Sequence, residues 1–183
     1  MRLFAAIDPP EAERDRLLEW LTLSRLAATD LRLVPSEQWH LTLCFYGETP
    51  GGTVAELVDR LRRAAERSTP LALQLGGVGS FPGDPVRAKV LWLGVEGDLT
   101  ELSHLADRCS AAGRRAGLDI ETRKYRPHLT IGRPRHGTID LRPTLEALPP
   151  YAGQPWVATT LRLVRSHLGA RVRHETLEEL PLG

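Results

Sequence analysis

An α+β fold of two lobes, related by a pseudo-two-fold axis, is what this sequence predicts. Three observations lead there. His40-Leu41-Thr42-Leu43 recurs 88 residues later as His128-Leu129-Thr130-Ile131. A gapless shift by the same 88 residues also aligns Leu3 with Leu91, Phe4 with Trp92, Leu17 with Leu105, Leu73 with Leu161 and Leu75 with Leu163. Self-similarity with a shared element order marks a duplicated unit, and two copies favour paired lobes over a solenoid. Helical and extended stretches also mix without strict βαβ alternation, which favours α+β over a doubly wound sheet. The chain is read as one two-lobed domain over residues 1–183, with repeats at about 1–88 and 89–176.

Each element has its own local signal. Residues 2–7 form an apolar run that reads as a buried strand. Asp8-Pro9-Pro10-Glu11 is a helix start with Asp8 as cap; the helix runs to about Ala28 with Leu17, Leu18 and Leu21 inward. Pro35 keeps 32–35 extended. The first His-x-Thr strand covers 39–46. Thr53-Val54-Ala55-Glu56 reads as a capping box opening a helix to Arg67, whose stripe is Val54, Leu57, Val58, Leu61 and Ala64. Residues 71–75 alternate as a strand. Residues 76–85 carry four glycines and read as a loop, with a bulge or a close backbone approach. Residues 89–95 form a buried strand. Asp98 and Glu101 open a helix with Leu99, Leu102, Leu105, Ala106 and Cys109 inward, ending near Gly117. Residues 119–124 are extended, and the second His-x-Thr strand covers 127–133. The proline-rich stretch 134–155 holds one short helix near 141–148. Strands are expected at 157–166 and 172–177.

The chemistry lies in the duplicated motif. Strand alternation puts Leu41, Leu43 and Phe45 on one face and His40, Thr42 and Cys44 on the other. The second copy puts Leu129 and Ile131 opposite His128, Thr130 and Gly132. Each strand thus presents an imidazole and a hydroxyl roughly 7 Å apart on one face. Facing each other, two such strands give a cleft equipped for acid–base chemistry on a phosphate. One neutral imidazole removes a proton from water, and a protonated one donates to the leaving oxygen. The threonines donate to non-bridging oxygens. Arg126, Arg133 and Arg135 are near enough in sequence to neutralise charge. The scheme requires no metal and no cofactor, and no acidic cluster adjoins the motifs.

Other histidines have plainer readings: His104 as surface, His136 as a loop residue near the cleft, His167 and His174 as structural residues of the C-terminal strands. Gly76-Gly77-Val78-Gly79 is no phosphate loop, because no Gly-Lys-Ser/Thr ending comes after it. Cys44 and Cys109, the two cysteines, read as buried small hydrophobes. Apolar content of 42%, charged content of 26% and a net charge of +1 describe a globular domain without a bulk polyanion-binding charge. The opening apolar run is too short for a signal peptide and no stretch approaches a membrane span, so a cytoplasmic protein, without a membrane partner and monomeric for want of a heptad seam, is expected.

Trp39-His40-Leu41-Thr42-Leu43 with Phe45-Tyr46-Gly47-Glu48, and Pro127-His128-Leu129-Thr130-Ile131-Gly132-Arg133, closely resemble the two-histidine phosphoesterase superfamily, and within it the RNA 2′,3′-cyclic phosphodiesterases, also called 2′-5′ RNA ligases. The likeness extends to residues 2–8, 90–95, 163–166 and 180–182. It implies two antiparallel sheets lining a central groove, with helices packed outside. It implies metal-free hydrolysis of an RNA 2′,3′-cyclic phosphate end to a 2′-phosphate, with His40 as proton donor, His128 as proton acceptor, Thr42 and Thr130 holding phosphate oxygens, and Arg133 adding a positive charge; Arg126, beside the motif, is read as a second substrate-binding residue. A 5′-hydroxyl in place of water gives 2′-5′ ligation by the same chemistry. Two departures touch nucleotide binding rather than catalysis: Tyr46 replaces an aliphatic residue, and 173–175 lack an aromatic. Competing readings are a phosphodiesterase for another small cyclic nucleotide, a non-catalytic RNA-binding relative, and a metal hydrolase using the same histidines as ligands.

Overall fold

The computed structural model describes residues 1–26, 29–169 and 172–183. Its elements run β1 (Arg2–Ile7), α1 (Glu11–Leu23), β2 (Leu31–Leu33), β3 (Leu41–Glu48), α2 (Val54–Glu66), β4 (Leu71–Phe81), β5 (Val90–Gly97), α3 (Leu99–Arg115), β6 (His128–Pro134), α4 (Arg142–Ala147), β7 (Trp156–Ala158), β8 (Thr160–His167) and β9 (Arg173–Pro181). The strands are antiparallel throughout, in the order β7-β4-β5-β6-β3-β1-β8-β9, with β2 paired to β6. The two expected sheets are the four-stranded halves of this path. They join between β3 and β6 through one registered pair, Leu41 with Leu129. The order is palindromic about that seam. Elements 88 residues apart, β1 and β5, β3 and β6, β4 and β8, occupy mirrored positions. Strands from both halves of the sequence share each half-sheet, because β4 pairs with β5 and β8 with β1.

The main core lies between the sheet and its helices. Leu3, Ala5 and Ile7 of β1, Leu41 of β3, Leu91 and Leu93 of β5, and Leu129 and Ile131 of β6 are buried there with Leu57 and Leu61 of α2 and Leu102, Leu105 and Cys109 of α3. Burying each such leucine contributes about 1.5–3 kcal/mol. The other face of β1 and β8 carries a separate small cluster, Phe4, Ala6 and Val164. It explains why β1 reads as a continuous apolar run: it is buried on both sides. No described helix is long and apolar enough to cross a membrane.

Several local expectations yield to tertiary contacts. Asp8 does not cap α1. The N-cap is Pro10, without a side-chain bond, and the Asp8 carboxylate accepts from Arg14 Nη2 at 3.1 Å and pairs with Arg162. The helix stops at Leu23, just before Arg25 at φ +54°; Ala28, the expected end, lies outside the described residues. Leu18 is half exposed, while Trp20 and Glu13 are buried instead. The Thr53 capping box does not form. The short 3-10 turn Gly51–Thr53 precedes α2, so Thr53 is already helical and bonds no amide through its side chain. Asp98 likewise makes no cap, and accepts from the Ala72 amide at 2.8 Å. Residues 76–81 continue β4 rather than forming a loop, past a bulge at Gly77, where φ is +71°. Residues 119–124 form no strand. The strand expected at 157–166 is two strands, since β7 pairs with β4 and β8 with β1, on opposite halves.

Candidate active site

The seam between β3 and β6 brings the two motifs together. Pairing Leu41 with Leu129 in antiparallel register fixes what lies one step either side: His40 comes toward Thr130, and Thr42 toward His128. Each leucine points into the core, and each flanking residue points away from it. The four motif residues therefore form a crossed square on one surface.

Beyond Thr42 the simple alternation fails. Register along β1 runs Ala6 to Thr42, Ala5 to Cys44, Phe4 to Phe45 and Leu3 to Gly47, so Leu43 is an extra residue on β3, as is Tyr46 three residues on. Each bulge inverts the parity of the residues beyond it. Cys44, expected beside His40, is instead buried in the main core with Tyr46. Phe45, expected in the core, is exposed and reaches the cleft side, 5.8 Å from the ring of Phe4.

Both imidazoles use the same local device. His40 Nδ1 donates to the Gln38 carbonyl at 2.7 Å, and His128 Nδ1 to the Arg126 carbonyl at 2.7 Å. A carbonyl only accepts, so Nδ1 carries the proton and Nε2 is left without it. Their surroundings differ. His40 stacks on Phe4 at 4.7 Å and meets His174 edge-on at 5.3 Å. His128 sits edge-on to Phe81 at 4.8 Å, with Trp92 at 6.5 Å. Gly79 makes that arrangement possible, since a Cβ there would overlap the Trp92 ring.

Burial pushes the His40 pKa down to about 4; the Gln38 carbonyl opposes this, and the nearby His174 and His128 add to it. His128 is also lowered, first by burial and then by Arg133, against the Arg126 carbonyl. His174 is lowered by burial and by Arg162. All three imidazoles are therefore held below the ordinary histidine value, His40 furthest by burial.

A cleft of about 820 Å³ opens beside His128, with Thr42, Phe45, Phe81, Arg126 and Arg133 also on its walls. Arg133 neighbours Arg32 across the β2–β6 pair, which, after burial, disfavours its charge. Arg126 contributes its carbonyl to His128 as well as its side chain to the wall. Thr130 lies opposite Trp92 in the β5–β6 ladder. His104 is at the surface beside Glu101. His167 bonds Glu175 at 2.6 Å.

His174, read from the sequence as a structural residue of the C-terminal strands, lies on β9 and adjoins the candidate site. It lies against the rings of both Phe4 and His40. It arrives there through β9, paired to β8, which is paired to β1. Nothing local in the sequence announces a contact across most of the chain. The stacking role of Phe4 had one legible signal, its alternation with Leu3 and Ala5 in a strand buried on both faces.

Residues 7–92 match the model of the family described as LigT like Phosphoesterase. The chain is 32% identical to an RNA 2′,3′-cyclic phosphodiesterase of Archaeoglobus fulgidus over 136 residues, 73% of this chain and 72% of that one. The chain belongs to the LigT-like phosphoesterases. It is also 29% identical to an RNA 2′,3′-cyclic phosphodiesterase of Geobacillus stearothermophilus over 81% of its own length, but spans only about half (47%) of that protein. Among solved structures it resembles Escherichia coli LigT complexed with 3′-AMP, with a TM-score of 0.83 and 26% identity, covering 99% of this chain and 97% of the other. The LigT-like fold is thus present nearly end to end.

Proposed function

We propose that this protein hydrolyses RNA 2′,3′-cyclic phosphate ends to 2′-phosphomonoesters by paired-histidine acid–base catalysis, without a metal. The observation that carries the reading is the matched pair of imidazoles, each with Nδ1 held by a carbonyl two residues upstream, on strands in register at one seam. The names borne by its relatives in Archaeoglobus and Geobacillus, and the 3′-AMP bound by E. coli LigT, support the substrate class.

In this scheme His128 Nε2 takes a proton from water as its oxygen attacks phosphorus. The bond from phosphorus to the 3′ oxygen breaks, and His40 Nε2 gives that oxygen its proton. Thr42 and Thr130 donate to the non-bridging oxygens, and Arg133 and Arg126 face the anion. A phosphodiester carries one negative charge. Its arrival opposes the burial that holds His40 neutral and favours the imidazolium that the donor role needs. The same steps with an RNA 5′-hydroxyl replacing water yield a 2′-5′ linkage.

The test is turnover of a chelator-treated enzyme on an oligonucleotide ending in a 2′,3′-cyclic phosphate, with phosphorus NMR of the product. His40→Ala and His128→Ala are each expected to lose about 10²–10⁴-fold in kcat, and the double variant about as much as the worse single one. Near-normal turnover by either variant removes the paired mechanism. A 3′-phosphate product reverses the choice of leaving oxygen, and chelator inhibition favours the metal hydrolase.

A further inference from the structure

On the outer side of the molecule, α2 and α3 pack against each other and leave between them a second groove of about 450 Å³. Arg60 and Arg63 line it from α2, Arg67 from the cap just past the end of α2, and Arg108 and Arg115 from α3, with Asp107 as the one acid on its walls. The floor is small: Ala64, Ala111 and Ala112. Five guanidiniums thus share one concavity in a protein whose net charge is only +1.

Few of them are neutralised. Arg60 pairs with Glu56 at 2.6 Å, and Arg108 donates to Ser68 Oγ at 3.0 Å, tying α3 to the end of α2. Among the described residues, Arg63, Arg67 and Arg115 have no ion pair. Helix-end electrostatics account for arginines near the C-termini of α2 and α3. They do not account for the convergence of those arginines with Arg60 and Arg108 on one hollow. Arg60, Arg63 and Arg67 recur at helical spacing, so they form one row about 10 Å long, and guanidinium forks in such a row match successive phosphates.

The groove also adjoins the cleft. Asp107 of α3 lies on the walls of both. A chain whose last nucleotide occupies the cleft therefore meets this groove by crossing α3 at Asp107. We propose that the α2–α3 groove binds the phosphate backbone of the RNA upstream of the cyclic end, an inference that rests on the RNA-end reading above. The contact is blind to sequence, and it makes long substrates better than short ones.

The experiment compares the wild type with Arg63→Glu/Arg67→Glu and with a control of equal charge change off the groove, Arg62→Glu/Arg142→Glu. Two readouts are taken: kcat/KM on a short single-stranded RNA against a mononucleoside, both 2′,3′-cyclic phosphates, and salt-dependent affinity for the same RNA ending in a 3′-phosphate, by fluorescence anisotropy. The groove variant is expected to lose about tenfold more on the RNA than on the mononucleoside, and to bind RNA with a salt slope smaller by roughly 0.7 per lost phosphate contact. The control is expected to track the wild type. Unchanged RNA affinity and slope in the groove variant overturns the proposal, as does an equal loss in the control. Because anisotropy needs no turnover, a wild type that binds RNA through the groove yet hydrolyses neither substrate refutes the activity and keeps the groove.

Discussion

His40 and His128 carry the same motif, the same Nδ1 bond length and the same register position, yet their tertiary neighbours are unlike. His40 packs with Phe4 and His174 in a cluster of three mutually touching rings beside a small buried apolar cluster. His128 stands at the wall of an open cleft with Arg126 and Arg133. The local backbone fixes the tautomer of both. What surrounds each ring then fixes how hard it is to charge, and His40 is held down to about 4. Two copies of one motif thus become two different acids.

The largest expected consequence is on stability. His40 has a folded pKa near 4 against an unfolded value near 6.5. The folded state therefore binds the proton less well, so the contribution is fully present above about 6.5 and is lost as pH falls toward 4. The loss is on the order of 3 kcal/mol. Urea midpoints measured at pH 7 and pH 4.5 are expected to converge in His40→Phe relative to the wild type, and to converge less in His128→Phe. Equal behaviour of the two variants breaks the comparison.

The hydroxyls come next. Thr42→Val and Thr130→Val each remove one donor from the crossed square, and losses of about 10²–10³-fold in kcat are expected, with little change in thermal midpoint. A larger effect at Thr42, which lines the cleft, would extend the asymmetry of the histidines to their partners. The smallest effect concerns His174. Charge on His174 disfavours charge on His40, so His174→Gln should raise the His40 pKa and move its limb of the kcat/KM profile to higher pH. An unmoved limb means that burial alone sets His40.

Much of the fold was legible because its signals are local. Continuous apolar runs located β1 and β5, alternation located β3 and β6, and the helical stripe located α2 and α3, because side-chain direction repeats with backbone period. The caps were not legible. Asp8, Thr53 and Asp98 each have the right residue type, and each was claimed by a distant partner or by a preceding turn. The destination of Phe45 was not legible either, since a bulge is a property of two paired strands and not of one.

By itself the sequence determined which residues are candidates for the chemistry: two imidazoles and two hydroxyls at fixed spacing, each set one short strand long. The tautomers came from the folded backbone, which brings a carbonyl two residues upstream to Nδ1 of each ring. Only the tertiary structure decided their environment. The strand order placed His174 and Phe4 on His40, and Phe81 and Trp92 on His128. Desolvation and charge act through space, and in this fold the neighbours through space come from β1, β4, β5 and β9, far from either motif in sequence.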